Sequence, residues 1–356
     1  MSRFTGLVNF TLLLTLLVIT LGAYTRLTDA GLGCPDWPGC YGKLTAPLHD
    51  GHVAELQQQF PGTQIEPHKA HNEMLHRYIA GLLGLAVLTI FITSQFIKRF
   101  RLLTAFILAV VIFQAALGMW TVTLNLLPLV VLAHLLGGFT LLSLLALLRM
   151  EIYWRQQAGQ KLPLSNIRSE PKLSPLLPFA YLVLVILIGQ IALGGWTASN
   201  YAAAVCYQLP FCEAGWVERF SLQSALHVPL GHETYEYGVL SYEARMSIHV
   251  LHRMGAIVTL LALGGFIFCC WRRAQTYFMK KLTLAIACLL LLQFTLGLVN
   301  IVAQLPLLNA VAHNVVAANL LMLLVVFVRQ MFLRRVTAPL GAFFVEEEFS
   351  QPAKHK

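Results

Sequence analysis

The sequence has very little charge for its length. Only 12% of its 356 residues are Asp, Glu, Lys or Arg, whereas 57% are hydrophobic, and the mean hydropathy is +0.69. A soluble domain usually carries about twice this share of charged residues. The composition therefore excludes an ordinary soluble protein. Its apolar runs are instead long enough to cross the roughly 30 Å hydrocarbon core of a membrane.

Other signals are also missing. Arg3 precedes the first apolar run, but Leu21–Ala23 is followed by Tyr24–Arg26, without a small-x-small cleavage site. This run is therefore predicted to be a retained helix and not a signal peptide. The sequence has no recurring set of carboxylates of the kind that holds a di-iron centre, and no thiolate cluster for an iron–sulfur centre.

Eight apolar runs are predicted to be transmembrane helices. They begin near Leu7, Met74, Leu102, Leu129, Leu176, Ile248, Leu282 and Ala312. In an eight-helix arrangement, 18 of the 25 Lys and Arg residues fall on the side that carries both termini. The positive-inside rule therefore predicts cytoplasmic termini. The net charge of +9 is therefore attributed to basic loops on the cytoplasmic side and not to nucleic-acid binding.

The second half of the chain repeats the first, with offsets that drift from 172 to 179 residues. The aligned pairs are Cys34 with Cys206, Cys40 with Cys212, His76 with His252, Arg77 with Arg253, and His134 with His313. The repeat predicts an all-α membrane protein of eight transmembrane helices, arranged as two tandem pseudo-symmetric four-helix bundles. The predicted units are 1–155 and 176–335, with a cytoplasmic linker at 156–175 and a cytoplasmic tail at 336–356.

Four of the seven cysteines form two pairs with the same spacing. Cys34 and Cys40 lie in the first long outer loop, and Cys206 and Cys212 lie in its counterpart in the second half. Loops that face an oxidising compartment favour two disulfides, Cys34–Cys40 and Cys206–Cys212. A zinc site is the alternative, but no histidine recurs at matching positions beside both pairs.

Four histidines form two repeated pairs inside the apolar runs, His76 with His134 and His252 with His313. Each pair is predicted to lie on the second and fourth helices of its unit, near the outer membrane surface. An imidazole in a membrane is costly unless it faces the bundle interior with a partner. Two facing imidazoles can take both axial positions of a haem iron, although a hydrogen-bonded structural role remains open for each histidine.

Loop histidines are predicted to be solvated, because they share no register in the repeat. These residues are His49, His52, His227 and His232.

Arg77 and Arg253 directly follow the histidines of the second helix in each half. At the outer membrane boundary, a guanidinium can pair with a haem propionate. The alternative is that each side chain extends to the interface without a specific partner. The sequence leaves these two interpretations equally open.

Glu73 is the main departure from the repeat, because His249 occupies the equivalent position. Glu73 precedes His76 by three residues and so lies on the same helical face. A carboxylate there can move protons or stabilise a developing cation. It can also be an interfacial acid favoured by the helix dipole.

Three segments of the first half carry a more specific signal: GAYTRLT at 22–28, GLGCPDWP at 31–38 with Cys40, and EMLHR at 73–77. Through these segments, the eight helices, the tandem halves and the four histidines, the chain resembles the haem A synthase family over nearly its whole length. The resemblance implies oxidation of the C8 methyl group of haem O to a formyl group by successive hydroxylations. It also implies that His76 and His134 hold the substrate haem, with Glu73 essential for the reaction. His252 and His313 are then implied to hold a haem b cofactor.

The resemblance further implies a bacterial inner-membrane protein, with haem sites near the periplasmic face. Haem O synthase, a farnesyl transferase, is the expected supplier of substrate, and the electron acceptor is not identified. Membrane lipid and a second copy of this chain are further candidate partners, whereas nucleic acid is not.

Two alternative functions use the same histidines. A di-haem b-type cytochrome would transfer electrons, and a haem-binding exporter or chaperone would release haem unaltered. Two features argue against the cytochrome: both histidine pairs are near one membrane face, and Glu73 breaks the symmetry. Turnover distinguishes the enzyme from both alternatives.

Overall fold

The computed structural model describes residues 2–47, 50–60, 65–159 and 170–334. Within these ranges the chain is helical, apart from loops and turns. The helices are α1 (Ser2–Leu27), α2 (Asp50–Gln59), α3 (Pro67–Ile97), α4 (Arg101–Thr123), α5 (Pro128–Gly159), α6 (Leu177–Ser199), α7 (Trp216–Arg219), α8 (Leu222–Ala225), α9 (Tyr242–Arg273), α10 (Tyr277–Val302) and α11 (Leu307–Leu333). Eight of them, α1, α3–α6 and α9–α11, are long and apolar enough to span a membrane, which confirms the predicted number.

Several helices begin earlier than the apolar runs indicated. Helix α3 begins at Pro67 and α9 at Tyr242, so each has polar turns before its apolar part. Proline at the first position of α3 suits a helix start, because its missing N–H needs no partner there. Ser241 caps α9 by accepting a hydrogen bond from the Ala244 N–H at 3.3 Å. Hydropathy thus located the membrane-spanning part of these helices but not their first turns.

The long helices form two rings of four. In the N-terminal half, α1 packs against α3 and α5, and α4 packs against the same two helices. In the C-terminal half, α6 packs against α9 and α11, and α10 packs against the same two. The halves meet where α5 contacts α6 and α11, and where α1 contacts α11. Consequently α3 and α5 lie diagonally across one ring, and α9 and α11 lie diagonally across the other.

The predicted unit boundaries fall only partly on described residues. Helix α5 continues to Gly159, beyond the predicted limit at 155. Of the predicted linker, 156–159 and 170–175 are described, whereas the predicted tail at 336–356 lies outside the described residues.

The two ends of the bundles are packed differently. We call the end with residues 28–66 and 200–241 the loop end, and the opposite end the linker end. Towards the linker end, both halves contain large buried side chains, including Phe266 and Phe327 in one half and Leu145 and Ile152 in the other.

Towards the loop end, the helices leave space between them. Every residue of α5 from 130 to 138 is partly exposed, and so is every residue of α11 from 312 to 317. A helix packed on one side only would alternate between buried and exposed residues. The helices of each bundle are therefore loosely packed around α5 and α11 in the half that lies nearer the loop end.

The two loops pack on the bundles. Helix α2 covers a small core that includes Leu56, Ile65 and Met74. The second loop also reaches the N-terminal half, because the Asn125 side chain donates to the Glu233 carbonyl at 2.7 Å and the Tyr235 N–H donates to the Asn125 carbonyl at 3.0 Å. At the loop end, the second loop is thus hydrogen-bonded to the N-terminal half.

Candidate functional site

The structure places both predicted histidine pairs on facing helices of their bundles. His76 lies in the third turn of α3 and His134 in the second turn of α5, on helices that are diagonal in their ring. Both rings point into the bundle, because each lies against a glycine of a neighbouring helix of the same ring. His252 of α9 and His313 of α11 occupy the corresponding places in the other half. Each half therefore presents two imidazoles towards the middle of its bundle.

A glycine of an adjacent helix lies beside each of these imidazoles. A Cβ atom built on the glycine would lie 3.0–3.5 Å from the ring. The pairs are Gly22 with His76, Gly118 with His134, Gly194 with His252, and Gly297 with His313. A larger residue would contact the imidazole directly, so these glycines shape the site. Gly22 aligns with Gly194 at the offset of 172, and Gly118 aligns with Gly297 at 179, so the repeat could have identified all four glycines.

Glutamine side chains contact the histidines mainly in the C-terminal half. Gln190 Nε2 lies 3.1 Å from His252 Nδ1 and donates to the His252 carbonyl at 3.0 Å. Gln293 Nε2 lies 3.2 Å from His313 Nε2. The position that aligns with Gln190 is Val18. Sequence reasoning missed Gln190, because the residue has no counterpart in the repeat.

One imidazole of each pair has a ring nitrogen without a hydrogen-bond partner among the described residues. The Nδ1 atoms of His134 and His313 are buried and have no hydrogen-bond partner among the described residues. The backbone carbonyls of Gln114 and Gln293 lie near these rings without meeting hydrogen-bond geometry at Nδ1. Histidines that bind a metal commonly donate their second ring N–H to such a carbonyl.

Together these features fit a haem in each half. In each half, two imidazoles lie on diagonal helices, glycines flank the rings, and the surrounding helices are loosely packed. A bis-histidine haem requires both axial ligands and room for a planar macrocycle.

Arg77 lies on α3 and Arg253 on α9, and the side chain of each contacts a disulfide loop. Nη1 of Arg77 donates to the Asp36 carbonyl at 2.9 Å and to the Gly39 carbonyl. Nη1 of Arg253 donates to the Gln208 carbonyl at 2.7 Å and to the Phe211 carbonyl. The acceptors correspond at the offset of 172. Both guanidinium groups are therefore bound to backbone carbonyls of a disulfide loop.

Glu73 is buried, with 4% of its surface exposed. Its Oε1 lies 2.5 Å from Arg77 Nη2, and its Oε2 accepts a hydrogen bond from the Cys34 N–H at 2.8 Å. The carboxylate thus lies one helical turn before His76 and is held by both α3 and the first loop. Burial raises the pKa of the neighbouring Tyr41, and the negative charges of Glu73 and Asp36 raise it further.

His249 occupies the corresponding position in the second half and is also buried, at 5% exposure. Its Nδ1 has no hydrogen-bond partner among the described residues. The two halves therefore differ in charge at this position.

Both predicted cysteine pairs are disulfide-bonded, Cys34 with Cys40 and Cys206 with Cys212. Cys206 and Cys212 also lie near Glu213, in an arrangement that could suit a metal. Their sulfurs are bonded to each other, however, and a metal ligand must be a thiolate. The structure therefore favours disulfides over the zinc alternative.

Two of the four loop histidines have described side chains. These two, His227 and His232, are exposed, as predicted. His49 lies outside the described residues, and so does the side chain of His52.

Comparison with known proteins gives consistent matches over most of the chain. The COX15-CtaA family model, described as cytochrome oxidase assembly protein, matches residues 6–325. The chain is 48% identical to the Heme A synthase of Shewanella oneidensis over 325 residues, which cover 91% of this chain and 95% of that protein. It is 24% identical to the Heme A synthase of Ehrlichia canis over 318 residues, which cover 85% of each chain.

Proposed function

This chain belongs to the COX15-CtaA family and is an oxidoreductase with haem A synthase function, and we propose that it oxidises the C8 methyl group of haem O to a formyl group by successive hydroxylations. The sequence match supports the activity. The two histidine pairs support one haem in each half, and Glu73, which only the first half has, supports different roles for the two haems.

In this proposal, the N-terminal half binds the substrate haem O between His76 and His134. The C-terminal half binds haem b between His252 and His313. The observation that carries this assignment is the buried carboxylate of Glu73, one turn before His76 and replaced by His249 in the other half. A group that assists proton removal belongs beside the substrate and not beside an electron-transfer cofactor.

The residues of the N-terminal half have defined tasks in this scheme. His76 and His134 hold and orient the substrate, and Gly22 and Gly118 leave room beside their rings. Glu73 accepts the proton that is released as the methyl group loses electrons, or stabilises positive charge that develops there. Haem b, when bound in the other half, supplies one-electron redox chemistry.

The proposal extends to orientation and partners. The chain is a multi-pass membrane protein, and we place both termini in the cytoplasm because of the Lys and Arg distribution. The loop end and both haem sites then face the periplasm of a bacterial inner membrane. Haem O synthase supplies the substrate, and an electron acceptor reoxidises the cofactor. Lipid and a second copy of the chain are the remaining proposed contacts.

The test is to purify the protein from cells that supply haem O, extract the haem, and identify it by mass and by its pyridine haemochrome spectrum. We expect haem A or its hydroxylated precursor together with haem b. Haem b alone in both halves would instead indicate an electron-transfer cytochrome. Unaltered haem O released on transfer to an acceptor would indicate an exporter or chaperone.

A further inference from the structure

The two arginines contact their loops in the same way although the sequence spacing differs. Arg77 and Arg253 are separated by 176 residues, whereas their carbonyl acceptors are separated by 172. The segment between loop and helix is therefore four residues longer in the second half. The contact is the same across this length difference, so it does not follow from local chain geometry.

Both contacts are largely shielded from water. The side chain of Arg77 is 12% exposed, and Arg253 is 6% exposed. Hydrogen bonds from a charged donor are stronger than neutral ones, and the planar guanidinium can serve several acceptors at once. Each arginine therefore fixes a loop of a few residues, already closed by a disulfide, onto the helix that carries the first histidine of its pair.

The second nitrogen of each guanidinium group distinguishes the halves. Nη2 of Arg253 donates to the Cys206 carbonyl at 2.6 Å, so all hydrogen bonds of this arginine within the described part of the chain go to the loop. Nη2 of Arg77 instead pairs with Glu73, whose other oxygen accepts the Cys34 N–H. In the N-terminal half, the arginine, the disulfide loop and the carboxylate thus form one connected unit.

We propose that Arg77 is a positioning residue, which clamps the Cys34–Cys40 loop to α3 and thereby fixes the Glu73 carboxylate beside the substrate site. Arg253 is the corresponding loop clamp in the proposed haem b half, and among the described residues it forms no ion pair with a carboxylate of its own helix. The part of this inference that concerns the reaction rests on the proposed role of Glu73. The clamp itself rests only on the loop contacts and can be tested without turnover.

The first test measures how fast each disulfide is reduced. The full-length protein in lipid nanodiscs is treated with a phosphine reductant, alkylated at intervals, and analysed by peptide mass spectrometry. Arg77→Ala should accelerate reduction of Cys34–Cys40 about tenfold, as expected from losing charge-assisted hydrogen bonds, and leave Cys206–Cys212 unchanged. Arg253→Ala should do the reverse.

This crossed design separates local release of a loop from general misfolding. If either variant accelerates reduction of both disulfides equally, or of neither, the proposal that each arginine holds its own loop is contradicted. Arg77→Lys is the conservative companion for a variant that folds poorly. Lysine keeps the positive charge but lacks the planar fork, so we expect Arg77→Lys to release the first loop nearly as much as alanine does.

The second test concerns positioning. With haem O bound, as shown by its bis-histidine absorption spectrum, Arg77→Lys should lower the rate constant of conversion about tenfold or more while haem O affinity changes little. A loss of affinity with an unchanged rate constant would instead indicate contact with the substrate, such as a propionate, and would overturn the positioning role. In a further outcome, the unmodified protein converts no haem O while each arginine variant still accelerates reduction of its own disulfide only. That result would contradict the proposed function and support the loop-clamping role of the arginines.

Discussion

The two halves share their framework and differ in a few side chains. Both contain histidines on diagonal helices, glycines beside the rings, a disulfide loop, and an arginine that binds the loop. They differ at Glu73, which aligns with His249, and at Gln190, which aligns with Val18. In the proposed function, the shared features build a haem site in each half, and the differences give the two sites different roles.

Gln190 illustrates this difference for the histidine ligands. Its side chain contacts both the ring and the backbone of His252, so that imidazole is held in one orientation. His76 has Gly22 beside it and no side-chain hydrogen bond among the described residues. A fixed ligand suits a resident cofactor, and a less restrained ligand suits a substrate that must enter and leave.

The largest expected effects come from removing one ligand in each half. His76→Ala should abolish conversion and leave haem b in place, because the C-terminal site is intact. His252→Ala should remove haem b and therefore also abolish conversion. Haem content and pyridine haemochrome spectra of the purified variants distinguish these outcomes. The opposite pattern, with haem b lost from His76→Ala only, would reverse the assignment of the halves.

Glu73→Gln should have the next largest effect. The amide keeps the size of the side chain but can neither accept a proton nor carry negative charge, so we expect conversion to fall about 100-fold or more with haem O still bound. His249→Gln is the matched control and should leave conversion within about threefold, because no reaction step is proposed there. Product analysis by mass measures both. Full conversion by Glu73→Gln would show that the carboxylate is not required.

Gln190→Ala should weaken haem b binding about tenfold or more, in the range expected for loss of a residue that orients a metal ligand. The reduction potential of haem b should also shift, since the imidazole loses a polar contact. Val18→Ala is the matched change in the other half and should leave haem b unaffected. Haem titration and redox potentiometry measure the two effects. Unchanged haem b in Gln190→Ala would mean that Gln190 only packs against the ring.

The sequence predicted the framework better than the contacts within it. The eight spans follow from long apolar runs, and the histidine pairs follow from a repeat that both halves preserve. The arginine contacts were not predictable, because they depend on the path of a loop that is distant in sequence. Gln190 could not be found through the repeat, since its counterpart is Val18. The first turns of α3 and α9 were missed because they are polar and carry no apolar signal.

The smallest effects should come from adding one methyl group beside a histidine in each half. A Cβ atom at Gly22 would lie 3.1 Å from His76 Nε2, and one at Gly194 would lie 3.0 Å from His252 Cε1. The initial crowding is thus nearly equal, but His252 cannot turn away without breaking its contact with Gln190, whereas His76 has more freedom.

Gly194→Ala should therefore weaken haem b binding by up to about tenfold, typical of modest overpacking, and Gly22→Ala should change haem O binding less. In the double variant Gly194→Ala/Gln190→Ala, the added cost of the methyl group should shrink, because the ring is then free to move. Equal costs with and without Gln190, measured by haem titration, would show that this side chain does not restrain the ligand and that the two halves hold their histidines alike.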